Sequence, residues 1–396
     1  MVKYPSDWAE LSIGNCVDIF QGGTPSTTNS AFWGGDIIWV TPSEITKNNS
    51  LFIGTSERKI THLGLKNSSA TLLPIGTILL CTRATIGELA IAEVQLTTNQ
   101  GFKNLVCRAN THNVFLANWF GMHKDELLEK SIGTTFLELS KKELAKISIH
   151  LPLLSEQKKI AETLTAFDTH IANLTELIEK KKAIREGALE DLMCQRTRLN
   201  DHSTEWEEIP LSEICNVYDG THQTPQYTMQ GIRFVSVENI MDLYNSNKYI
   251  SQAAYDSDFN VYPEKGDILM TRIGDIGTPC VVDKDEPLAY YVSLALFKNI
   301  SINSYFLKYY IMSSGFRSEL DDGSLHHATP KKINKGEIGK CKVKYPIDAD
   351  EQEAIANILH SIDDEIKALE IERDKMIQIR EGAMDDLLTG KVRLTD

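Results

Sequence analysis

The sequence contains an internal repeat, and this repeat constrains the fold more than any other feature. Residues 156–199 align with residues 351–394 at a constant offset of 195, with 18 identities in 44 positions. The pentapeptide Ile-Arg-Glu-Gly-Ala occurs at the same place in both copies, at 184–188 and 379–383. Two unrelated amphipathic helices would share Leu and Ile through composition, but not this pentapeptide. The repeat therefore predicts two copies of one structural arrangement.

The segments upstream of the two copies correspond more loosely. Ile37–Ile45 matches Ile232–Ile240, and Thr82-Arg83 matches Thr271-Arg272, whereas the sequences between such anchors differ almost everywhere. The predicted order is domain, helix, domain, helix. The predicted segments are a first domain at 1–151, a first spacer helix at 152–199, a second domain at 200–345 and a second spacer helix at 346–396.

Both repeat copies carry the apolar pattern of a coiled coil, with steps of four and three residues. The seam positions are Ile160, Leu164, Phe167, Ile171, Leu174 and Ile178 in the first copy, and Ile355, Leu359, Ile362, Ile366 and Leu369 in the second. Ser155 and Asp350 are the predicted N-caps, and each pattern lasts to about Leu192 or Leu387, roughly 57 Å of helix. Ordinary core helices, each packed on its own domain, are the alternative, but typical globular helices are much shorter.

Chain order predicts the direction of the two helices. The first helix leads from the first domain to the second, and the second helix should run back, so the two seams meet antiparallel. Arg373 interrupts the second seam. Gly187 and Gly382 lie inside the helices, where Gly costs about 1 kcal/mol relative to Ala, and this predicts a kink or the close approach of another chain.

The domains themselves mix short β-rich runs with helical stretches, which predicts an α+β class. The predicted strands are 36–40, 77–81, 231–237 and 267–271, and the predicted helices are 114–129 and 302–320.

Composition excludes several classes of protein. The seven cysteines are odd in number, widely spaced and without a C-x-x-C pair, which argues against zinc sites and a disulfide framework and predicts buried, reduced thiols. Neither a signal-peptide pattern nor a membrane-spanning apolar run occurs, so a cytoplasmic location is expected. His326-His327 lacks carboxylate or cysteine ligands at useful spacing, so no metal is expected there.

The net charge of −14 is unevenly distributed. Residues 1–150 carry 13 basic and 13 acidic side chains, whereas residues 346–396 carry 6 and 14. A protein that wraps DNA alone would be basic throughout. A DNA-binding chain whose partners supply much of the attraction to phosphate need not be.

Several motifs resemble the specificity subunits of type I restriction–modification systems. The first domain opens with Gly22-Gly23-Thr24-Pro25-Ser26, then Phe32-Trp33-Gly34-Gly35, and this opening resembles the target-recognition domains of that family. Asp219-Gly220-Thr221-His222-Gln223-Thr224-Pro225 looks like the other common variant. The stretch from Leu151 to Ala161 resembles the entry into the family's spacer helix.

This resemblance implies two target-recognition domains joined by two long antiparallel coiled-coil helices, which recognise a bipartite, asymmetric duplex DNA sequence. It also implies two methyltransferase (modification) subunits and restriction motor–nuclease subunits as partners. S-adenosylmethionine, ATP and Mg would be bound by those partners, with no cofactor and no catalytic residue on this chain. The sequence agrees, since it contains no G-x-x-x-x-G-K-[ST] loop and no Asn-Pro-Pro-Tyr or Asp-Pro-Pro-Tyr motif.

Two other functions stay open at this stage. The chain is alternatively the specificity subunit of a methylation-only complex, or a coiled-coil scaffold that does not recognise DNA. An enzyme with its own active site would show activity in the purified chain.

The candidate DNA-contacting residues are those whose side chains can donate hydrogen bonds to phosphate oxygens or base edges. In the first domain they are Thr24, Ser26, Arg83, Asn99, Gln100, Thr134, Lys141 and Lys142; in the second they are Thr221, His222, Asn239, Arg272, His326, His327, Lys331 and Lys332. Solvated surface side chains or turn formers are the alternative for each, and Arg83 and Arg272 are equally candidates for a structural role. Residues 331–344 carry six lysines against one acid, which predicts a basic patch.

Overall fold

The computed structural model describes residues 4–48, 50–131, 137–199, 202 and 204–395. The chain divides into two compact units. The first unit is Met1–Thr175 together with Ile371–Asp396, and the second is Glu176–Glu370. Each long helix therefore contributes one part to each unit.

The described part of the first unit contains ten short strands and six short α-helices. The strands are β1 Ala9–Ser12, β2 Val17–Gln21, β3 Trp33–Val40, β4 Phe52–Ile53, β5 Lys59–Ile60, β6 Ile78–Cys81, β7 Leu89–Ala92, β8 Thr97–Thr98, β9 Phe102–Cys107 and β10 Ser148–Leu151. The helices are α1 Ile13–Cys16, α2 Pro42–Lys47, α3 His62–Lys66, α4 Asn113–Met122, α5 Lys124–Glu129 and α6 Lys141–Lys146, followed by the long helix α7 Leu154–Met193.

The second unit repeats this plan. Its strands are β11 Trp206–Pro210, β12 Asn216–Asp219, β13 Tyr227–Thr228, β14 Ile232–Val235, β15 Tyr249–Ile250, β16 Ile268–Ile273, β17 Asp275–Val281, β18 Leu288–Tyr290, β19 Leu294–Lys298 and β20 Lys342–Pro346. Its helices are α8 Leu211–Ile214, α9 Gln252–Asp258, α10 Ser304–Met312, α11 Ser314–Asp322 and α12 Lys335–Lys340, followed by the long helix α13 Ala349–Leu388.

The sheets of the two units share a core topology, but among the described strands β4 of the first unit and β13 of the second have no counterpart in the other unit. The first unit has the sheets β2-β9-β6-β7-β4, β5-β3-β8 and β1-β10, and the second has β12-β19-β16-β17, β13-β15-β14-β18 and β11-β20. The α+β class is thus confirmed, as are the four predicted strands. The two predicted domain helices are each split in two, at His123 and at Ser313, whose hydroxyl caps α11 by accepting a hydrogen bond from Phe316 N.

The two long helices have 40 residues each. They begin two residues earlier than predicted, so Ser155 and Asp350 lie in the first turn and are not the N-caps. In α13 the side chain of Asp348 accepts a hydrogen bond from the backbone N of Asp350 at 3.0 Å, the contact expected of an N-cap.

Ion pairs show that α7 and α13 run antiparallel within each unit. In the first unit, Arg380 pairs with Asp168 at 3.0 Å. In the second unit, Arg185 pairs with Asp363 at 3.0 Å, and Lys181 pairs with Glu365 at 2.8 Å. In both units residue numbers rise along one helix as they fall along the other, as the sequence predicts.

These pairs exchange partners between the repeat copies. Arg185 and Arg380 are repeat equivalents, as are Asp168 and Asp363, so each arginine binds the aspartate of the other copy. A second contact follows the same rule: Arg393 binds Glu156 at 2.8 Å in the first unit, and Arg198 binds Glu351 at 3.0 Å in the second. Both glutamates are buried. Hydrogen bonds to these carboxylates raise the pKa of Arg393 and of Arg198.

The predicted seam serves two purposes. At the start of α7, Ile160 and Leu164 are fully buried in the core of the first unit, and at the start of α13, Ile355 and Leu359 pack beside Phe306. Ordinary packing on a domain, the alternative weighed above, thus accounts for the helix starts. Further along, Leu174, Ile178 and Ile366 are buried, whereas Phe167, Ile171, Ile362 and Leu369 are partly buried.

Gly187 and Gly382 lie within continuous helix, and no atom of the described chain outside the local helix turn comes within 4 Å of where a Cβ would stand. The expected close approach is therefore not made by the described parts of this chain. Arg373 lies at the end of the second seam, is partly buried and pairs with the neighbouring Asp374.

The seven cysteines are free, but only Cys16, Cys81, Cys215 and Cys341 are buried; Cys194 is exposed, contrary to prediction. In the described part of the chain, no helix is long and apolar enough to span a membrane, and no cluster of three His, Cys, Asp or Glu side chains forms a metal site.

Candidate nucleic-acid interface

In the first unit, four of the predicted residues lie together around the loop Gly22–Ser26. Gly23 N donates to the carbonyl of Thr98 at 2.8 Å, and the Thr24 hydroxyl donates to Gln100 Oε1 at 2.5 Å. A Cβ on Gly22 would collide with the carbonyl oxygen of Asn99, so glycine is required for this close approach. Ser26 and Gln100 are exposed, and Thr24 and Asn99 are half-buried.

Two tryptophans bind this loop from the adjoining sheet. The indole N–H of Trp39 donates to the carbonyl of Gly23 at 2.8 Å, and that of Trp33 donates to the carbonyl of Ser26 at 3.0 Å. The two rings meet edge to face, with centroids 5.0 Å apart. The loop is thus fixed at both ends by donors that are themselves packed.

Arg58 lies against these two rings and was not among the predicted residues. Its guanidinium carbon is 3.6 Å from the ring centroid of Trp33 and 5.2 Å from that of Trp39. Its backbone carbonyl accepts a hydrogen bond from Trp39 N at 3.2 Å. The sequence gives no signal for this contact, because it depends on the register that pairs Ile38 with Lys59.

The other predicted residues of the first unit lie elsewhere. Arg83 pairs with Glu138 at 2.8 Å, and the buried Lys103 pairs with the same carboxylate at 3.1 Å. Burial alone would raise the pKa of Glu138, but hydrogen bonds from these two cations hold it below its ordinary value. Lys141 donates to the carbonyl of Ile19 at 2.7 Å. Lys142 is exposed, and Thr134 lies outside the described residues.

The loop Asp219–Thr221 occupies the equivalent place in the second unit. Thr221 N donates to the carbonyl of Tyr290 at 3.2 Å, and Val292 N donates back to the carbonyl of Thr221 at 3.0 Å. The neighbouring His222 is exposed. Both units therefore present their domain-opening loops in the same way.

Arg272, for which the sequence leaves a DNA contact and a structural role equally open, is buried. It is 5% exposed, forms an ion pair with Asp219 and donates to the carbonyl of Ile333 at 3.0 Å. Through its ion pair with Asp219 it anchors the start of the domain-opening loop, so its role is structural. Asn239 is also occupied locally, since its side chain accepts from Ser236 N at 3.2 Å.

The predicted basic patch is weaker than its composition indicates. His326, His327 and Lys332 are exposed. Three of the six lysines are paired with carboxylates: Lys331 with Asp321, Lys340 with Glu337, and Lys342 with Glu208. Glu337 is the one acid of the segment itself, whereas Asp321 and Glu208 come from other segments, which a local count along the sequence omits.

Comparison with known proteins agrees with this architecture. A family model for the type I restriction modification DNA specificity domain matches twice, at residues 5–183 and 203–378. The MjaIX specificity subunit of a type I restriction enzyme from Methanocaldococcus jannaschii is 39% identical over 294 residues, covering 69% of this chain and 68% of that protein. The MjaVIII specificity subunit from the same organism is 24% identical over 99% of this chain and 95% of its own length.

Solved structures have the same fold. The S subunit of the type I restriction–modification system from M. genitalium superposes with a TM-score of 0.64 at 16% identity, covering 97% of each chain. The HsdS subunit from Thermoanaerobacter tengcongensis gives a TM-score of 0.51 at 17% identity, covering 98% of each chain. With two matched domains over most of its length, the chain belongs to the family of type I restriction–modification DNA specificity subunits.

Proposed function

We propose that this chain recognises a bipartite, asymmetric duplex DNA target, with one half-site bound by each target-recognition domain. The observation that carries the proposal is the presence of two units of one topology whose domain-opening loops carry different exposed side chains. The first unit presents Ser26 and Gln100 there, and the second presents His222. Two similar domains with different hydrogen-bond donors can bind two different half-sites, as an asymmetric target requires.

The proposal includes a non-catalytic role in the cytoplasm. The chain would position two methyltransferase subunits and, in a restricting complex, the motor–nuclease subunits, while S-adenosylmethionine, ATP and Mg remain on those partners. The exposed helix surfaces at Gly187 and Gly382 leave room for the backbone of a partner, which supports a docking role for the spacer helices. A methylation-only complex would use the same chain without the motor–nuclease subunits.

The test is to assemble this chain with the methyltransferase subunit encoded beside it, treat unmodified DNA, and map the methylated adenines. The expected result is one sequence of two defined segments separated by unspecified base pairs. Methylation with a single undivided motif, or without sequence preference, would contradict the proposal. A scaffold that does not recognise DNA would leave no sequence-specific footprint for the assembled complex.

A further inference from the structure

Arg58 stands apart from the other arginines of the first target-recognition domain. The domain has three, Arg58, Arg83 and Arg108. Arg83 pairs with Glu138 at 2.8 Å, and Arg108 pairs with Asp18 at 2.7 Å. Among the described residues, no carboxylate lies within ion-pair distance of the exposed Arg58. The neighbouring acid, Glu57, pairs instead with Lys47 at 3.6 Å.

The side chain of Arg58 is nevertheless held in place. Contact with the ring of Trp33 restrains the guanidinium, the ring of Trp39 lies next to it, and Trp39 is itself 4% exposed. A guanidinium that packs through its face keeps its N–H donors at the edge for other acceptors. Because the side chain is ordered in advance, less conformational entropy is lost when an acceptor binds.

The same indoles connect Arg58 to the loop Gly22–Ser26. Trp39 and Trp33 donate to the carbonyls of Gly23 and Ser26, as described above. The exposed donors of the loop and the unpaired guanidinium therefore belong to one rigid surface.

The second unit has a lysine, Lys248, at the position equivalent to Arg58. Ile38 pairs with Lys59 in the first unit as Arg233 pairs with Tyr249 in the second, and Arg58 and Lys248 each precede the second residue of these pairs. Lys248 forms an ion pair with Glu238 at 2.8 Å. The availability of Arg58 is thus particular to the first domain and is not a requirement of the shared fold.

We infer that Arg58 contacts a guanine edge in the half-site bound by the first domain, and this inference rests on the proposed function. Arginine presents two donors that match O6 and N7 of guanine in the major groove. A phosphate contact is the competing possibility, but phosphate-binding surfaces are clusters of positive charge. Here Glu57, next to Arg58 in the sequence, forms an ion pair with Lys47 and donates its backbone N–H to Glu44, and residues 1–150 carry equal numbers of acidic and basic side chains.

The test measures DNA binding by the assembled complex carrying wild-type chain, Arg58→Ala, Arg58→Lys or Lys59→Ala. Each is titrated against the methylation target and against targets with one base pair replaced at a time. For the wild type, replacing one G·C pair of the first half-site should weaken binding roughly 5- to 150-fold. Arg58→Ala should bind the original target more weakly by a similar factor and should no longer distinguish that pair.

The two remaining variants separate base recognition from charge and folding. Lys59→Ala removes a neighbouring exposed charge and should retain discrimination at every position. Arg58→Lys keeps the charge and the apolar stem over Trp33 but loses the two-donor edge, so it should lose discrimination at the same pair, even if Arg58→Ala fails to fold.

Three results would overturn the inference. Unchanged discrimination in both Arg58 variants would do so, as would an affected pair that is A·T. Uniformly weaker binding with a shallower salt dependence would identify a phosphate contact instead. If the wild-type complex itself shows no sequence preference, the proposed function fails, and this result is distinct from the failure of Arg58 alone.

Discussion

At the scale of single residues, the structure distinguishes arginines that form ion pairs within their own domain from Arg58, whose donors are available to another molecule. Arg83 and Arg272 occupy matched places in the sequence, after an apolar run and a threonine, and both are paired with a carboxylate of their own domain. Sequence pattern marks such positions as important but does not reveal whether the guanidinium faces inward. The same limit explains why Arg58 was missed: its two tryptophan contacts come from strand pairing.

The carboxylate of Glu138 offers a test of the Arg83 contact. Because its pKa lies below that of an unfolded glutamate, it stabilises the folded state above about pH 4.5, and this contribution is lost as the pH falls through the folded-state pKa. Glu138→Gln should therefore lower the thermal melting temperature at pH 7. The difference from wild type should shrink steadily below pH 4.5, as measured by circular dichroism across pH.

Glu143→Gln is a suitable control, since Glu143 also carries a lowered pKa but its ion pair within the described chain is with the exposed Lys146. It should change the melting temperature far less. An equal effect of the two substitutions at pH 7 would show that the Arg83–Glu138–Lys103 cluster stabilises the fold no more than the Glu143–Lys146 pair does.

At the scale of elements, the repeat predicted the helices and their antiparallel direction well. It could do so because periodicity and identity at a fixed offset are local properties of the sequence. The partner exchange between copies was not predicted, although Arg185 lies in the shared pentapeptide and Asp168 is identical to its repeat equivalent Asp363. A repeat shows that two positions are equivalent, and only the packed structure shows that equivalent positions meet across copies.

The Arg380–Asp168 pair gives a prediction for the helices of the first unit. Arg380→Asp places two carboxylates opposite each other and should cost about 1 kcal/mol, since both side chains are partly exposed, or roughly 2–4 °C in melting temperature. Adding Asp168→Arg should restore much of that loss. Thermal melts of the two single variants and the double variant would measure the coupling.

In the second unit the equivalent change is Arg185→Asp, and adding Asp363→Arg should restore less of the lost melting temperature. There the hydroxyl of Tyr309 donates to Asp363 at 2.8 Å, and an arginine at 363 cannot accept that hydrogen bond. Equal restoration in both units would show that the tyrosine hydroxyl is unimportant. No restoration in either unit would argue against a direct contribution from these pairs.

At the scale of the whole molecule, the two target-recognition domains have separate cores. The first unit and the second unit each bury their own sheets and helices. Replacing residues 1–150 with the corresponding segment of another family member should therefore change one half-site and leave the other intact. The measurement is the methylated sequence produced by the assembled hybrid. A change in both half-sites, or in neither, would contradict independent recognition.

The first unit is built from two separate segments of the sequence, 1–175 and 371–396, which the ribosome synthesises at different times. Its core includes Leu387 and Leu388, and Arg393 bonds to both Glu156 and Asp7. A ribosome synthesises residues 176–370 before it reaches these residues, so the unit that begins first is completed last. Until then the second unit already has all its parts, while the nascent first unit lacks two core leucines and the cation for a buried glutamate. A truncation after residue 370 would damage the domain at the opposite end of the sequence.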